Sequence, residues 1–370
     1  MGVGAMQATE FSRLSGQPVG LEPLAWAPLR FRVRFTTAAW LPPFKGSTLR
    51  GGFGIALRRA SCVRRGSDCE TCTLGSVCPY RYVFETPVPA GSARMRRYPR
   101  CPHPFVLEPP ADERVAFQPG DVLEFGLTLV GRAQTYALHA IYAVMLLGEE
   151  LGVGRRRPPA GDREGSTGPP PAARAARGDG RVPSAPGDIC GRYEVVAVTD
   201  GAEAEAGPLY EPDGQRLLRE PRTARLVRDE GAPVVDSVRL QLVTPLRLVE
   251  NGRLSARPSF QGVVRALLRR LSSLAYFHCG GELDLPYAEL VRRAASVRAD
   301  GDRLRWHDWE RYSRRQKTRM RLGGVVGTLG FTGDLAPFLP LLAAGEVLHV
   351  GKATSFGLGA YGMEVDGGER

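Results

Sequence analysis

Residues 29–35, LRFRVRF, alternate apolar and basic side chains, the period-two pattern of a strand with one face buried. Residues 46–60 change period: Leu49, Phe53, Ala56 and Leu57 recur at helical spacing. A strand is predicted over 122–131, a helix over 136–151, and a further strand at YEVVAV, residues 193–198. The same order then returns. Residues 237–249 read as a strand, 260–277 as an amphipathic helix, RLGGVVGTLGFTG as a strand, 335–348 as a helix, and GLGAYGMEV as a closing strand. Strand, helix, strands, helix, strand, occurring twice, predicts an α+β protein of two tandem ferredoxin-like (βαββαβ) modules, over 24–233 and 234–366. Within the first module, residues 154–190 hold proline, glycine, alanine and arginine with almost no large apolar side chain. Such a stretch buries too little surface to offset its ordering entropy and is predicted to be a disordered insertion. The polar stretch 200–233 is predicted to be loop.

At 370 residues the chain has room for two or three domains. No stretch approaches the ~20 consecutive apolar residues of a membrane helix, and the N-terminus lacks a basic start followed by an apolar core. The expectation is a cytoplasmic protein with no membrane partner. The 50 basic against 39 acidic residues, pI ≈ 9.6, favour a polyanionic partner. Nearly all that positive charge is arginine. The three lysines, Lys45, Lys317 and Lys352, each fall in a stretch that is notable on other grounds.

The first of these stretches, residues 349–362 (HVGKATSFGLGAYG), has the glycines and hydroxyls of a phosphate loop. A nucleotide P-loop requires its lysine after the second glycine and a helix to follow, and neither is present. The backbone logic survives, because glycines let main-chain N–H groups approach an anion. Gly351, Lys352, Thr354, Ser355, Gly357 and Gly359 are therefore candidate anion-binding residues. The second stretch, 303–321 (RLRWHDWERYSRRQKTRMR), interleaves Trp306, Trp309 and Tyr312 with eight arginines and lysines. Stacking surfaces between cations are what single-stranded RNA needs, and Arg311 and Arg315 are candidate backbone contacts. The competing reading is a solvated face with its tryptophans packed inward. Four cysteines, Cys62, Cys69, Cys72 and Cys78, lie within seventeen residues. In a reducing compartment that spacing favours a structural zinc or iron–sulfur cluster over disulfides, and the alternative is scattered buried thiols.

Taken together, FKGSTLRGGFGIALRR, the cysteine run, HPFVLEPP, FGLTLVGRA, WERYSRRQKTRMRLGGVVG and HVGKATSFGLGAYG resemble, in order, the CRISPR-associated endoribonuclease that cuts precursor CRISPR RNA within its repeats. That family belongs to the repeat-associated mysterious protein (RAMP) superfamily. The resemblance spans residues 29–365 apart from the insertion. It implies two ferredoxin-like RAMP modules, a glycine-rich loop that helps to hold RNA, and CRISPR repeat RNA as partner, with CRISPR effector subunits as further partners. The implied reaction uses no catalytic metal or cofactor: the ribose 2′-OH attacks the scissile phosphate, leaving a 2′,3′-cyclic phosphate and a 5′-OH. In this family a histidine on or near the first helix commonly serves, yet residues 42–66 contain none. Lys45 and Arg50 stand there instead, as candidates for phosphate stabilisation and RNA binding. His307, with Tyr312 and Lys317 near it, is the favoured acid or base; His103 and His349 are the other candidates, and a site of lysine and arginine without histidine is an alternative. His139 and His278 lie in apolar helical stretches and are expected in the core. Two other functions stay open: a non-catalytic RAMP subunit that binds guide RNA, and an RNA-binding redox or metal sensor built on the cysteines.

Overall fold

The computed structural model describes residues 20–64, 66, 68–154, 191–201, 207–211, 216–226, 235–308, 310–313 and 318–367. The predicted insertion at 154–190 lies almost wholly outside them.

Strand β1 (Trp26–Phe35) follows its alternation: Leu29, Phe31, Val33 and Phe35 are buried and Arg30, Arg32 and Arg34 exposed. Helix α1 (Gly46–Ser61) comes next, and Leu49, Phe53, Ala56 and Leu57 form its buried stripe. Strands β2 (Phe105–Glu108) and β3 (Val122–Val130), helix α2 (Ala137–Leu146) and strand β4 (Tyr193–Asp200) complete the first module. Its sheet runs β2-β3-β1-β4, all antiparallel, with Phe31 opposite Phe125 across β1 and β3. Two short strands, Pro208–Glu211 and Arg216–Leu217, extend the β4 edge, so the stretch predicted as loop contributes to the sheet.

The second module repeats the plan with β5 (Val235–Leu246), α3 (Phe260–His278), β6 (Arg303–His307), β7 (Gly324–Thr332), α4 (Leu339–Leu348) and β8 (Tyr361–Gly367). Its sheet order is β6-β7-β5-β8, again antiparallel. In each module the third strand lies between the first and the second, and the fourth lies on the other side of the first. That is the ferredoxin-like order, and the predicted fold class stands. The Ser259 hydroxyl caps α3 by accepting from the Gly262 N–H at 3.0 Å. Phe260, one residue on, meets Phe331 and Phe338 edge-on in the core.

Each module has its own apolar core, and Trp26 and Val130 of the first pack into the core of the second. The predicted helix over 136–151 divides into a 3-10 turn (Gly131–Tyr136), α2, and a π-turn (Leu147–Leu151) that ends at Gly152, φ 70°. No helix among the described residues is long and apolar enough to cross a membrane.

Candidate nucleic-acid interface and active site

The glycine-rich loop leaves α4 in left-handed backbone, with φ positive at His349, Gly351, Ala353, Gly357 and Gly359. It crosses from the second module to the first. Its second-module side is tied by Lys352 N–H to the Arg247 carbonyl (2.9 Å), Gly359 N–H to the Pro245 carbonyl (3.1 Å), and the Thr244 hydroxyl to the Gly357 carbonyl (2.7 Å). On the other side Gly357 lies against β2: a Cβ there would sit 2.7 Å from the Leu107 carbonyl oxygen and 2.2 Å from Pro109 Cδ. Gly359 is fixed by its φ of 72° and by the Val350 carbonyl, 1.8 Å from where its Cβ would stand.

This geometry narrows the expected anion cradle. The N–H groups of Lys352, Phe356, Gly357, Leu358 and Gly359 donate within the protein. Thr354 and Ser355 are buried, and the Ser355 hydroxyl meets Arg50 of the first module, whereas Lys352 is exposed.

Arg50 fastens that seam. From α1 its Nε donates to Ser355 Oγ at 3.0 Å and its Nη2 to His103 Nε2 at 3.1 Å. The guanidinium stacks on Phe84 and Phe356, 4.6 and 4.2 Å from the ring centroids. Because a guanidinium only donates, His103 Nε2 must accept, and its proton sits on Nδ1, 2.7 Å from Thr86 Oγ1. Burial and then the Arg50 charge push the His103 pKa down to about 3, consistent with a neutral ring. His278 is the core histidine expected: its Nε2 donates to the Pro102 carbonyl at 2.7 Å and its Nδ1 accepts from the Tyr82 hydroxyl at 3.0 Å. The His103 segment is thus braced against α3. His139, by contrast, is exposed on α2, its ring edge-on to Tyr136. Its helix is apolar on more than the packed face, with Leu138 and Tyr142 also half exposed, and the expected core position is corrected on that ground.

A second polar group lies beside the loop. Glu108 accepts from Thr128 Oγ1 at 2.8 Å and pairs with Arg30. Burial pushes its carboxyl up, but Arg30, His349 and Thr128 together hold it below the ordinary range. His349 is buried, and desolvation lowers it to about 4 against the opposing pull of Glu108. Arg270 donates from Nε to the Leu348 carbonyl at 2.7 Å, with burial lowering it to about 10.

His103, His278 and His349 all take up protons more readily when the chain unfolds, since their folded values near 3, 4 and 4 lie below 6.5. Their contribution to stability is therefore complete above about pH 7 and is lost as pH falls through 6.5 towards 4. Glu346, raised by burial to about 7, opposes this because its folded form takes up the proton first. The net near pH 5 is about two protons, so stability should fall on the order of 3 kcal/mol per pH unit. Thermal melts between pH 7.5 and 5 test this, and an unchanged melting temperature contradicts it.

The other expected site residues are more dispersed. Lys45 is fully buried; its ammonium donates to the Pro43 carbonyl at 3.1 Å and to the Asp112 carbonyl, and desolvation foremost lowers its pKa. It ties two loops together and leaves no face for a phosphate. His307 ends β6 opposite Gly324, half-buried, and Trp306 beside it is 42% exposed. Arg303 and Arg305 point from this strand into an open groove of about 380 Å³, lined also by Arg257, Asp302, Leu304 and Gly327. Arg311 and Tyr312 lie in the hairpin of Glu310–Ser313 with Thr318–Arg321. Trp309, Arg315 and Lys317 fall outside the described residues. The β6 end approaches the loop through Arg247, whose carbonyl accepts from Lys352 N–H and whose guanidinium donates to the Gly323 carbonyl.

The expected metal site is not supported. Among the described residues no three His, Cys, Asp or Glu side chains gather as a ligand set. Cys62, Cys69, Cys72 and Cys78 are half-buried free thiols, and Cys69 and Cys78 pack against the first module's core.

Sequence reasoning missed the Arg50–His103–Ser355 contact, whose partners are 53 and 305 residues from Arg50. It also missed the basic stretch 92–100, readable in the sequence as SARMRRYPR.

Residues 240–361 match the family model of the CRISPR-associated endoribonuclease Cas6, and residues 24–163 match the model of an N-terminal domain. An uncharacterised protein of Archaeoglobus fulgidus is 24% identical over 328 residues, 87% of this chain and 92% of that protein. Among solved structures the chain is similar to a partial Cas6-RT-Cas1–Cas2 complex, with TM-score 0.50 and 12% identity over 95% of this chain and 48% of that one. A Cas6-RT-Cas1–Cas2 complex gives the same score and identity over 30% of its chain, so this chain spans half or less of these two structural relatives. The Cas6 model thus covers the second module from within β5 to the first residue of β8, and the likeness to the two solved complexes, which takes in both βαββαβ modules, is one of fold.

Proposed function

We propose that the protein is an endoribonuclease that cuts CRISPR repeat RNA at the seam between its two modules, here taken as 24–233 and 234–366. The observation that carries this reading is the fastening of the glycine-rich loop to α1 by Arg50, in a chain that also exposes Lys352 on that loop and a basic, aromatic edge at β6. The reaction is attack by the ribose 2′-OH on the adjacent phosphate, with the 5′-oxygen leaving. It needs a proton acceptor, a proton donor and a cation for the charge growing on phosphorus. His307 takes the acid or base role, with Tyr312 and Lys317 in the same segment, and Lys352 contacts the RNA backbone. Arg50 and His103 position the loop: both His103 ring nitrogens are engaged, which leaves neither for proton transfer. The protein works in the cytoplasm and, as the names of the two structural relatives suggest, alongside other CRISPR proteins.

A second reading is favoured by one observation: α1 carries no histidine, and the lysine beside it is buried. On that reading the protein holds guide RNA without cutting it. Incubation with labelled CRISPR repeat RNA in EDTA separates the two. The nuclease reading expects one cut leaving a 2′,3′-cyclic phosphate, blocked by a 2′-deoxy substitution at that nucleotide. His307→Ala should then slow cleavage about 100-fold or more, the usual weight of a general acid or base. Tight binding with intact RNA would establish the scaffold instead.

A further inference from the structure

We propose that the loop of residues 87–100 is a second RNA grip, holding a single-stranded segment that extends from the seam; this rests on the RNA reading above. The loop is built rather than slack. Its base is closed by Cys101 N–H to the Thr86 carbonyl (3.0 Å), Val88 N–H to the Pro99 carbonyl (3.4 Å), and an Arg100–Glu85 ion pair at 2.6 Å. Thr86 is also the partner of His103, so the root of the loop and the seam share a residue. Halfway along, Arg94 stacks 5.1 Å over Tyr276 of α3 and pairs with Glu282 at 2.9 Å, while Ala93 N–H donates to the Tyr276 hydroxyl at 3.3 Å. The loop therefore starts in the first module and is braced on the second.

Its tip is turned by Met95 in left-handed backbone, with Tyr98 N–H donating to the Met95 carbonyl at 2.9 Å. This turn presents Arg96, Arg97 and Tyr98 to solvent, Tyr98 at 63% exposure. Arg94 and Arg100 have carboxylate partners, but Arg96 and Arg97 have none among the described residues; Arg96 Nε meets only the Ser92 carbonyl at 3.2 Å. Two guanidinium groups without carboxylates beside an exposed phenol ring, on a braced loop, suit a backbone phosphate pair and one stacked base. An acidic peptide would use the arginines but gains little from the ring.

The test measures affinity by fluorescence anisotropy for the repeat hairpin with and without a short single-stranded tail. Tyr98→Ala should weaken binding of the tailed RNA about tenfold, the loss of one stacked base, and leave the tailless hairpin unchanged. Tyr98→Phe should bind as wild type, because the ring is kept. Arg96→Ala with Arg97→Ala should lower the salt slope for the tailed RNA by about 1.4, about 0.7 for each phosphate that is no longer neutralised. If wild type binds RNA but these variants bind the tailed form equally well, the loop proposal is overturned and the RNA reading stands. If wild type binds neither RNA, both are overturned. Equal losses on tailed and tailless RNA would also overturn it, by placing the loop on the duplex.

Discussion

Gly46→Ala is expected to reduce RNA cleavage about 100-fold while the two cores stay folded. Gly46 opens α1 at the point where the glycine-rich loop crosses it, and its φ is ordinary. What it lacks is room: an added Cβ would stand 2.0 Å from the Phe356 carbonyl oxygen and 2.7 Å from the Phe44 ring. Neither neighbour is the end of a long flexible side chain, so the loop must move away from α1. A shift of about 1 Å in a positioned reacting group commonly costs on the order of 10²-fold in rate. Alanine is also the better helix former, which separates this effect from loss of the helix itself. Single-turnover cleavage beside a thermal melt checks it. A rate within threefold of wild type would show that contact between α1 and the loop does not set the chemistry.

The second large effect is at Arg50. Arg50→Ala removes hydrogen bonds to Ser355 and His103 and leaves both partners in the seam without their donor. It also removes the stacking on Phe84 and Phe356. A hydrogen bond from a charged group is worth about 1.5–3 kcal/mol and the stacked cation about 1 kcal/mol more. The expected destabilisation is about 3 kcal/mol, roughly 4 °C in melting temperature for a protein of this size. Arg50→Lys should recover little, because a single ammonium cannot reach Ser355 and His103 in the plane that the two rings define. A variant melting as wild type does would mean that the loop is held by its own module alone.

The fold is legible where the pattern is long. Leu29, Phe31, Val33 and Phe35 alternate with arginines, and the α3 stripe runs through five turns, so period alone assigns both. Strand β2 is not legible, because its four residues are bounded by Pro104 and Pro109 and carry no alternation. Helix Tyr287–Ala294 is only two turns long and buries just Leu290 and Ala294.

For the site, composition leads to the right stretches and says less about orientation. Lys45 stands out by its rarity, yet Asp112, 67 residues away, turns its ammonium inward. Thr354 and Ser355 look like phosphate ligands in the sequence, but the loop's left-handed turns bury both and bring Ser355 to Arg50. The cysteine spacing suits a metal, yet among the described residues no ligand set gathers there, and Cys69 and Cys78 pack against the first module's core. Each of these outcomes depends on a contact across tens or hundreds of residues, which no local pattern encodes.

On the proposed function, RNA is cut where the glycine-rich loop meets the first module. The most direct test is to place a photoreactive 4-thiouridine at the scissile nucleotide of a 2′-deoxy-blocked repeat RNA and map the crosslinks by mass spectrometry. Crosslinks are expected within residues 349–360 and at the end of β6 around Trp306 and His307. Crosslinks confined to the outer face of either sheet, with the loop and β6 unlabelled, would contradict it.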